Sequence, residues 1–152
     1  MSRNHVDFGD SLQSCAALEP NLDGLRVLVI EDHALTRLAM ECLLTPWGCR
    51  VTLADGTLTA CDHVRHDGAP DIILSDYRLN DGYDGFNAIR LVRELSGRQI
   101  PACLISADAD GNLCQQAEAV GVCFLRKPAS PNRLRSVLLG LPPSNGLGGL
   151  RR

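Results

Sequence analysis

The sequence predicts an α/β domain organised as a doubly wound parallel sheet. Short apolar runs alternate with stretches of helical periodicity, five of each, along the chain. The runs are mostly uniformly apolar rather than alternating in and out, which marks strands covered by helices on both faces. Right-handed crossovers between such strands give an open sheet whose ligands bind at the carboxyl ends of the strands.

Taken in order, residues 26–30 form a first strand ending in Glu31-Asp32. A helix over 34–44 follows, with Leu35, Leu38, Ala39, Cys42 and Leu43 at helical spacing, and Pro46 and Gly48 end it. A second strand spans 50–54, and a more polar helix spans 57–66. A third strand over 71–75 delivers Asp76 at its carboxyl end, and a turn-rich loop over 80–85 carries Gly82 and Gly85. Residues 85–95 form a helix with Phe86, Ile89, Leu91 and Val92 as its apolar positions. The fourth strand spans 100–106, a helix over 111–120 is stopped by Gly121, and the fifth strand spans 122–125, before Arg126-Lys127-Pro128. A last helix covers 132–139.

Residues 1–23 read as a polar leader or linker in which 11–18 could form a short helix. Residues 24–140 read as the single domain and 141–152 as a Gly/Pro-rich tail. With 152 residues there is room for one domain with one substantial core. A net charge of -3 and an aromatic fraction of 4% argue against a nucleic-acid partner. The seven cysteines are odd in number and lack C-x-x-C spacing, so they read as reduced, buried thiols. No apolar run reaches membrane-spanning length and the N-terminus has no signal-like apolar stretch, so a cytoplasmic protein off the membrane is expected.

The strand ends carry the chemistry. Glu31 and Asp32 end the first strand, Asp76 the third, Ser106 the fourth, and Lys127 follows the fifth. In a parallel sheet these groups converge on one crevice. A carboxylate cluster repels itself. A hard cation relieves the repulsion, and Mg²⁺ suits a few carboxylates plus phosphate oxygens. Asp76 is placed as a nucleophile that forms an aspartyl phosphate, with Lys127 pairing with one phosphate oxygen and Ser106 donating to another. The plainer readings are an N-cap role for Glu31-Asp32 and solvated or turn roles for the rest. The convergence of all five favours the site.

These residues resemble the receiver domain of two-component response regulators. The resemblance runs over about 25–139 and rests on V-L-V-I-E-D at 27–32, D-I-I-L-S-D-Y-R-L at 71–79, D-G-F at 84–86, L-I-S-A at 104–107 and F-L-R-K-P at 124–128. It implies a flavodoxin-like fold with strand order 2-1-3-4-5, phosphorylation on Asp76, and a metal site of Glu31, Asp32, Asp76 and the Arg78 backbone carbonyl. It further implies a switch hydroxyl at Ser106, a phosphate-pairing Lys127, an aromatic switch at Phe124 and a cis peptide before Pro128. The chain would then be a phosphoacceptor that catalyses only its own phosphotransfer and dephosphorylation. Its phosphoryl donor would be a histidine kinase or histidine phosphotransfer protein. Its output would be a downstream protein contact through the face of the fourth helix, fifth strand and fifth helix, which also leaves room for a homodimer.

Four departures from the family pattern stand out. Asn80 replaces a frequent Pro, which predicts a less rigid loop. The loop over 79–85 is one residue longer than the commonest form, as in receivers of hybrid kinases. Phe124 stands where Tyr is common, and Ser106 where Thr is usual. Arg78 and Asp108, each two residues past a strand-end group, are expected to pair across the mouth of the crevice. An aspartyl-nucleophile phosphatase would want an acid at Arg78, and a pseudo-receiver would not need the five site residues together.

Overall fold

In the computed structural model, residues 21–108 and 111–140 are described. The expected helix over 11–18 and the tail over 141–152 lie outside them. Five strands, β1 (Arg26–Ile30), β2 (Arg50–Ala54), β3 (Ile72–Asp76), β4 (Ala102–Ser106) and β5 (Cys123–Arg126), pair in parallel in the order β2-β1-β3-β4-β5. Five α-helices connect or follow them: α1 (Ala34–Leu44), α2 (Thr57–Asp67), α3 (Gly85–Ser96), α4 (Gly111–Ala119) and α5 (Pro131–Gly140). The expected strands and helices are all present, with boundaries shifted by one or two residues.

Two hydrophobic clusters explain why the strands read as continuous apolar runs. Leu28, Ile30, Ile73, Ala102 and Leu104 point to one face, against Ala60, Val64, Ala88, Ile89, Val92 and Ala117 of α2, α3 and α4. Val27, Val29, Ile72, Leu74, Cys103, Ile105 and Leu125 point to the other, against Leu44, Leu134 and Leu138 of α1 and α5. Burying a large aliphatic side chain is worth about 1.5–3 kcal/mol, so neither face tolerates a polar alternation.

Helix α1 departs from its expected orientation. Most of its periodic stripe faces solvent, with Leu35 73% and Leu38 52% exposed, and of the expected positions only Leu43 packs inward. The helix docks instead through Met40, Leu43 and Leu44, while Arg37 turns toward the sheet end and donates to the carbonyls of Glu31 (2.8 Å) and Asp32 (3.3 Å). Its N-cap is His33 rather than Asp32, with the imidazole accepting from the Thr36 N–H. The cysteines also divide: Cys49, Cys61 and Cys103 are buried, whereas Cys42 and Cys114 are exposed and Cys123 is half-buried.

The loop from Leu79 to Asp84 is well anchored despite the missing proline. The Asp81 carboxylate accepts from the Thr57 N–H across at the start of α2 and from the Tyr83 N–H. Desolvation works against ionisation of Asp81, but these N–H groups hold its carboxyl below the usual range. The Asp81 carboxylate thus caps α2, whose N-cap residue Gly56 has no side chain to do so.

Candidate functional site

The parallel register brings the strand tips together. Glu31, Asp32 and Asp76 present oxygens that all lie within 4.8 Å of one another. Lys127 Nζ stands 3.2 Å from Asp76 Oδ2 and 3.6 Å from Glu31 Oε2. Ser106 ends β4 beside them, 2% exposed, its Oγ accepting from the Asp108 N–H at 3.1 Å. The peptide linking Lys127 to Pro128 is cis, as the resemblance implies.

Local structure fixes each group. Glu31 leaves β1 with its N–H bonded to the Ala54 carbonyl, and its carboxylate accepts from the His33 N–H at 3.1 Å. Asp76 ends β3 where α3 approaches closely. A Cβ on Gly85 would run into the Asp76 carbonyl oxygen and the Leu104 side chain, so the start of α3 accepts only glycine. The Gly85 N–H donates to the Tyr77 carbonyl at 2.8 Å, and the Asp84 side chain caps α3 through the Asn87 N–H. Arg78 is tied in a backbone bridge to Asp84, with its guanidinium turned outward. Lys127 is pinned by its N–H to the Ser106 carbonyl at 2.8 Å.

Electrostatics single out Glu31. Burial and the neighbouring Asp76 charge push its carboxyl up to about 7, against the pull of Lys127 and the His33 N–H. One ammonium therefore does not satisfy three clustered carboxyl groups. A hard divalent cation fits this donor set, with oxygen ligands only and spare negative charge. Glu31, Asp32 and Asp76 would hold it.

The expected ion pair at the rim is present. Arg78 Nε and Nη2 reach Asp108 Oδ2 at 2.9 Å and Oδ1 at 3.3 Å. Phe124 is half-buried against the cluster that also receives Tyr77 and Phe86, which meet edge to face at 5.9 Å. Arg37, Asp81 and Gly85 position the site without touching its reactive atoms. The sequence motif contained Gly85 without its reason, and nothing in the local sequence signalled the other two. A groove of about 1040 Å³ between α3 and α4 lies away from the carboxylate cluster. Its central Arg93 spends its donors on the carbonyls of Ile100, Val120 and Gly121.

Comparison with known proteins agrees with this geometry. The chain is 31% identical over 120 residues to the cyclic di-GMP phosphodiesterase response regulator RpfG of Xanthomonas campestris, covering 74% of this chain and 30% of that protein. It is 29% identical to the two-component response regulator ARR5 of Arabidopsis thaliana, covering 88% of this chain and 79% of that protein. The sensory/regulatory protein RpfC of Xanthomonas campestris aligns over only 17% of its own length, so the chain spans less than a third of RpfG and RpfC. Among solved structures, chemotaxis protein CheY4 of Vibrio cholerae superposes with a TM-score of 0.67 at 24% identity, covering 76% of this chain and 96% of that one. A receiver domain from Clostridium thermocellum gives 0.68 at 18% identity, covering 75% and 90%. Those two likenesses establish the fold. The family model for the response regulator receiver domain matches residues 27–139, nearly all of the sheet and its helices, and the chain belongs to that family.

Proposed function

We propose that the chain is a phosphoacceptor that takes a phosphoryl group on Asp76 from a phosphohistidine of a histidine kinase or histidine phosphotransfer protein. The observation that carries this reading is the placement of Lys127 Nζ 3.2 Å from Asp76 within the Glu31–Asp32–Asp76 cluster. A carboxylate held beside one ammonium and two further acids is poised both to attack and to keep a bound anion compensated.

In the transfer, an Asp76 carboxylate oxygen attacks phosphorus, the P–N bond breaks, and its electron pair returns to the donor imidazole. Mg²⁺ at Glu31, Asp32, Asp76 and the Arg78 carbonyl would supply charge neutralisation for the phosphoryl oxygens. Lys127 is positioned to pass from Asp76 to a phosphate oxygen. Ser106 would turn its hydroxyl to donate to another. Phe124 would follow into the space that Ser106 vacates, shifting the population of the surface formed by α4, β5 and α5. That surface is the output, read by a downstream protein. The free thiols among the described residues support a cytoplasmic setting.

The test is incubation with Mg²⁺ and acetyl phosphate followed by intact mass. A single phosphate adduct, lost in Asp76→Asn, is expected. Absence of any adduct would turn the reading toward a partner-binding module, and rapid turnover of phosphomonoesters toward a phosphatase.

A further inference from the structure

Away from the carboxylate cleft, two thiols stand side by side. Cys103 on β4 and Cys123 on β5 are register partners. Adjacent strands run about 4.8 Å apart, inside the roughly 4.4–6.8 Å between Cα atoms that a disulfide accepts. Both side chains lie on the same side of the sheet, in the cluster covered by α1 and α5. Cys103 is fully buried and Cys123 half-buried, so an oxidant approaching from solvent meets Cys123 first. The Cys103 thiol donates to the neighbouring Leu104 carbonyl at 3.8 Å.

Proximity splits their acidities. The neighbouring Cys103 thiol draws the Cys123 thiol down, with the Phe124 N–H and the Arg133 charge assisting and burial opposing. Cys103 is pushed up by the Cys123 thiol and by burial. The thiolate is thus favoured on the more accessible sulfur, and the buried neighbour holds its proton more firmly.

We propose that Cys103 and Cys123 form a reversible redox pair that hydrogen peroxide closes into an intrachain disulfide. The Cys123 thiolate attacks one peroxide oxygen and the O–O bond breaks. The departing hydroxide takes a proton from solvent and leaves as water, and Cys123 becomes a sulfenic acid. Cys103 sulfur then attacks Cys123 sulfur, and the S–S bond forms as the S–O bond breaks. The hydroxide released takes the Cys103 proton and leaves as a second water. The two sulfurs together lose two electrons and the peroxide gains them. A dithiol reductant reverses the change. The bridge joins the two strands that lead to Ser106 and Lys127, so oxidation acts on the framework of the site without touching its reactive atoms.

The pair is testable independently of phosphorylation. The full chain is reduced, desalted, treated with hydrogen peroxide, denatured and alkylated. Cleavage at Asp108, Asp110 and Glu118 then separates Cys103, Cys114 and Cys123. The expected product is monomeric protein in which Cys103 and Cys123 are linked, reversed by dithiothreitol. In Cys123→Ser the linked product is lost and Cys103 is recovered alkylated. Recovery of both thiols alkylated in the wild-type chain would overturn the proposal. So would preferential pairing of either with Cys114, or Cys123 running on to sulfinic acid beside a free Cys103. The wild-type digest needs no variant, so a destabilised mutant does not obscure the result.

Discussion

The acidic half of the cleft hangs on β1 and β3, and the half that carries Ser106 and Lys127 hangs on β4 and β5. The first two strands each have a strand on both sides, and every residue of β1 after Arg26 is buried. Glu31 is locked by its own backbone bond, by the His33 N–H and by the reach of Arg37 to its carbonyl. Strand β5 is an edge strand in which only Leu125 is buried, and the Lys127 side chain is 30% exposed. Local opening is less costly where few buried contacts must be broken. The contrast teaches a division of labour: the acids and Ser106 hang on strands flanked on both sides, and Phe124 and Lys127 belong to the edge that opens more easily.

Removing the mobile charge breaks this division most severely. Lys127→Ala leaves Asp76 and Glu31 without their ammonium and removes the partner of a phosphate oxygen. Loss of one preorganised charge at a reacting group costs about 2.7–4 kcal/mol, so phosphorylation by acetyl phosphate should slow by about a hundredfold or more. Circular dichroism should stay native, because the Lys127 side chain is 30% exposed and follows the edge strand. Time-resolved intact mass gives the rate. A rate within about threefold of wild type, on the scale of ~0.6 kcal/mol, would mean that the edge half contributes nothing to the transfer.

The fixed half is sharpened by pH. In the folded chain Glu31 holds its proton up to about 7, well above its ordinary 4.5. Its contribution to stability is therefore complete below about pH 4.5 and is lost as pH rises through about 7. Each tenfold change in proton affinity is worth about 1.4 kcal/mol at most, and partial solvent screening brings the expected loss to the order of 1 kcal/mol. Urea unfolding in EDTA should show that loss across this window, and Glu31→Gln should flatten it. Mg²⁺ affinity should climb with pH over the same range, because the Glu31 proton must leave before the cation binds. A stability profile identical in wild type and Glu31→Gln would remove the case for a strained acid cluster.

The same contrast marks what could be read from the sequence. Buried strands betray themselves because both faces are apolar, and their tips then give Glu31, Asp32, Asp76, Ser106 and Lys127 without further information. Rim residues such as Arg78 and Asp108 follow, because β3 and β4 are neighbours and each residue lies two beyond a tip. Helix orientation does not follow. The stripe of Leu35, Leu38, Ala39, Cys42 and Leu43 is periodic, but periodicity does not say which edge of the stripe faces the core, and here only Leu43 does, joined by Met40 and Leu44. Arg37 and Asp81 act on backbone groups that the local sequence does not identify, so their roles become visible only in three dimensions.

The smallest expected effect lies at the boundary between the two halves. Arg78 follows β3 and Asp108 follows β4, and their bidentate pair spans the mouth of the cleft. The Arg78 side chain is 78% exposed and that of Asp108 32%, so solvent screens the attraction and the pair is worth about 0–1 kcal/mol. On the proposed function the pair would restrict the approach of water to an acyl phosphate on Asp76, two residues from Arg78. Asp108 also donates its backbone N–H to Ser106 Oγ, which steadies that oxygen and leaves its O–H free to donate. Arg78→Ala and Asp108→Ala should each raise the dephosphorylation rate by about two- to fivefold, equivalent to ~0.4–1 kcal/mol. The double variant should add little, since either single change already opens the pair. Decay of the phosphate adduct, followed by intact mass after removal of acetyl phosphate, measures all three. Unchanged decay in both single variants would make the rim pair a surface contact without a role. A fully additive double variant would mean that each residue acts alone.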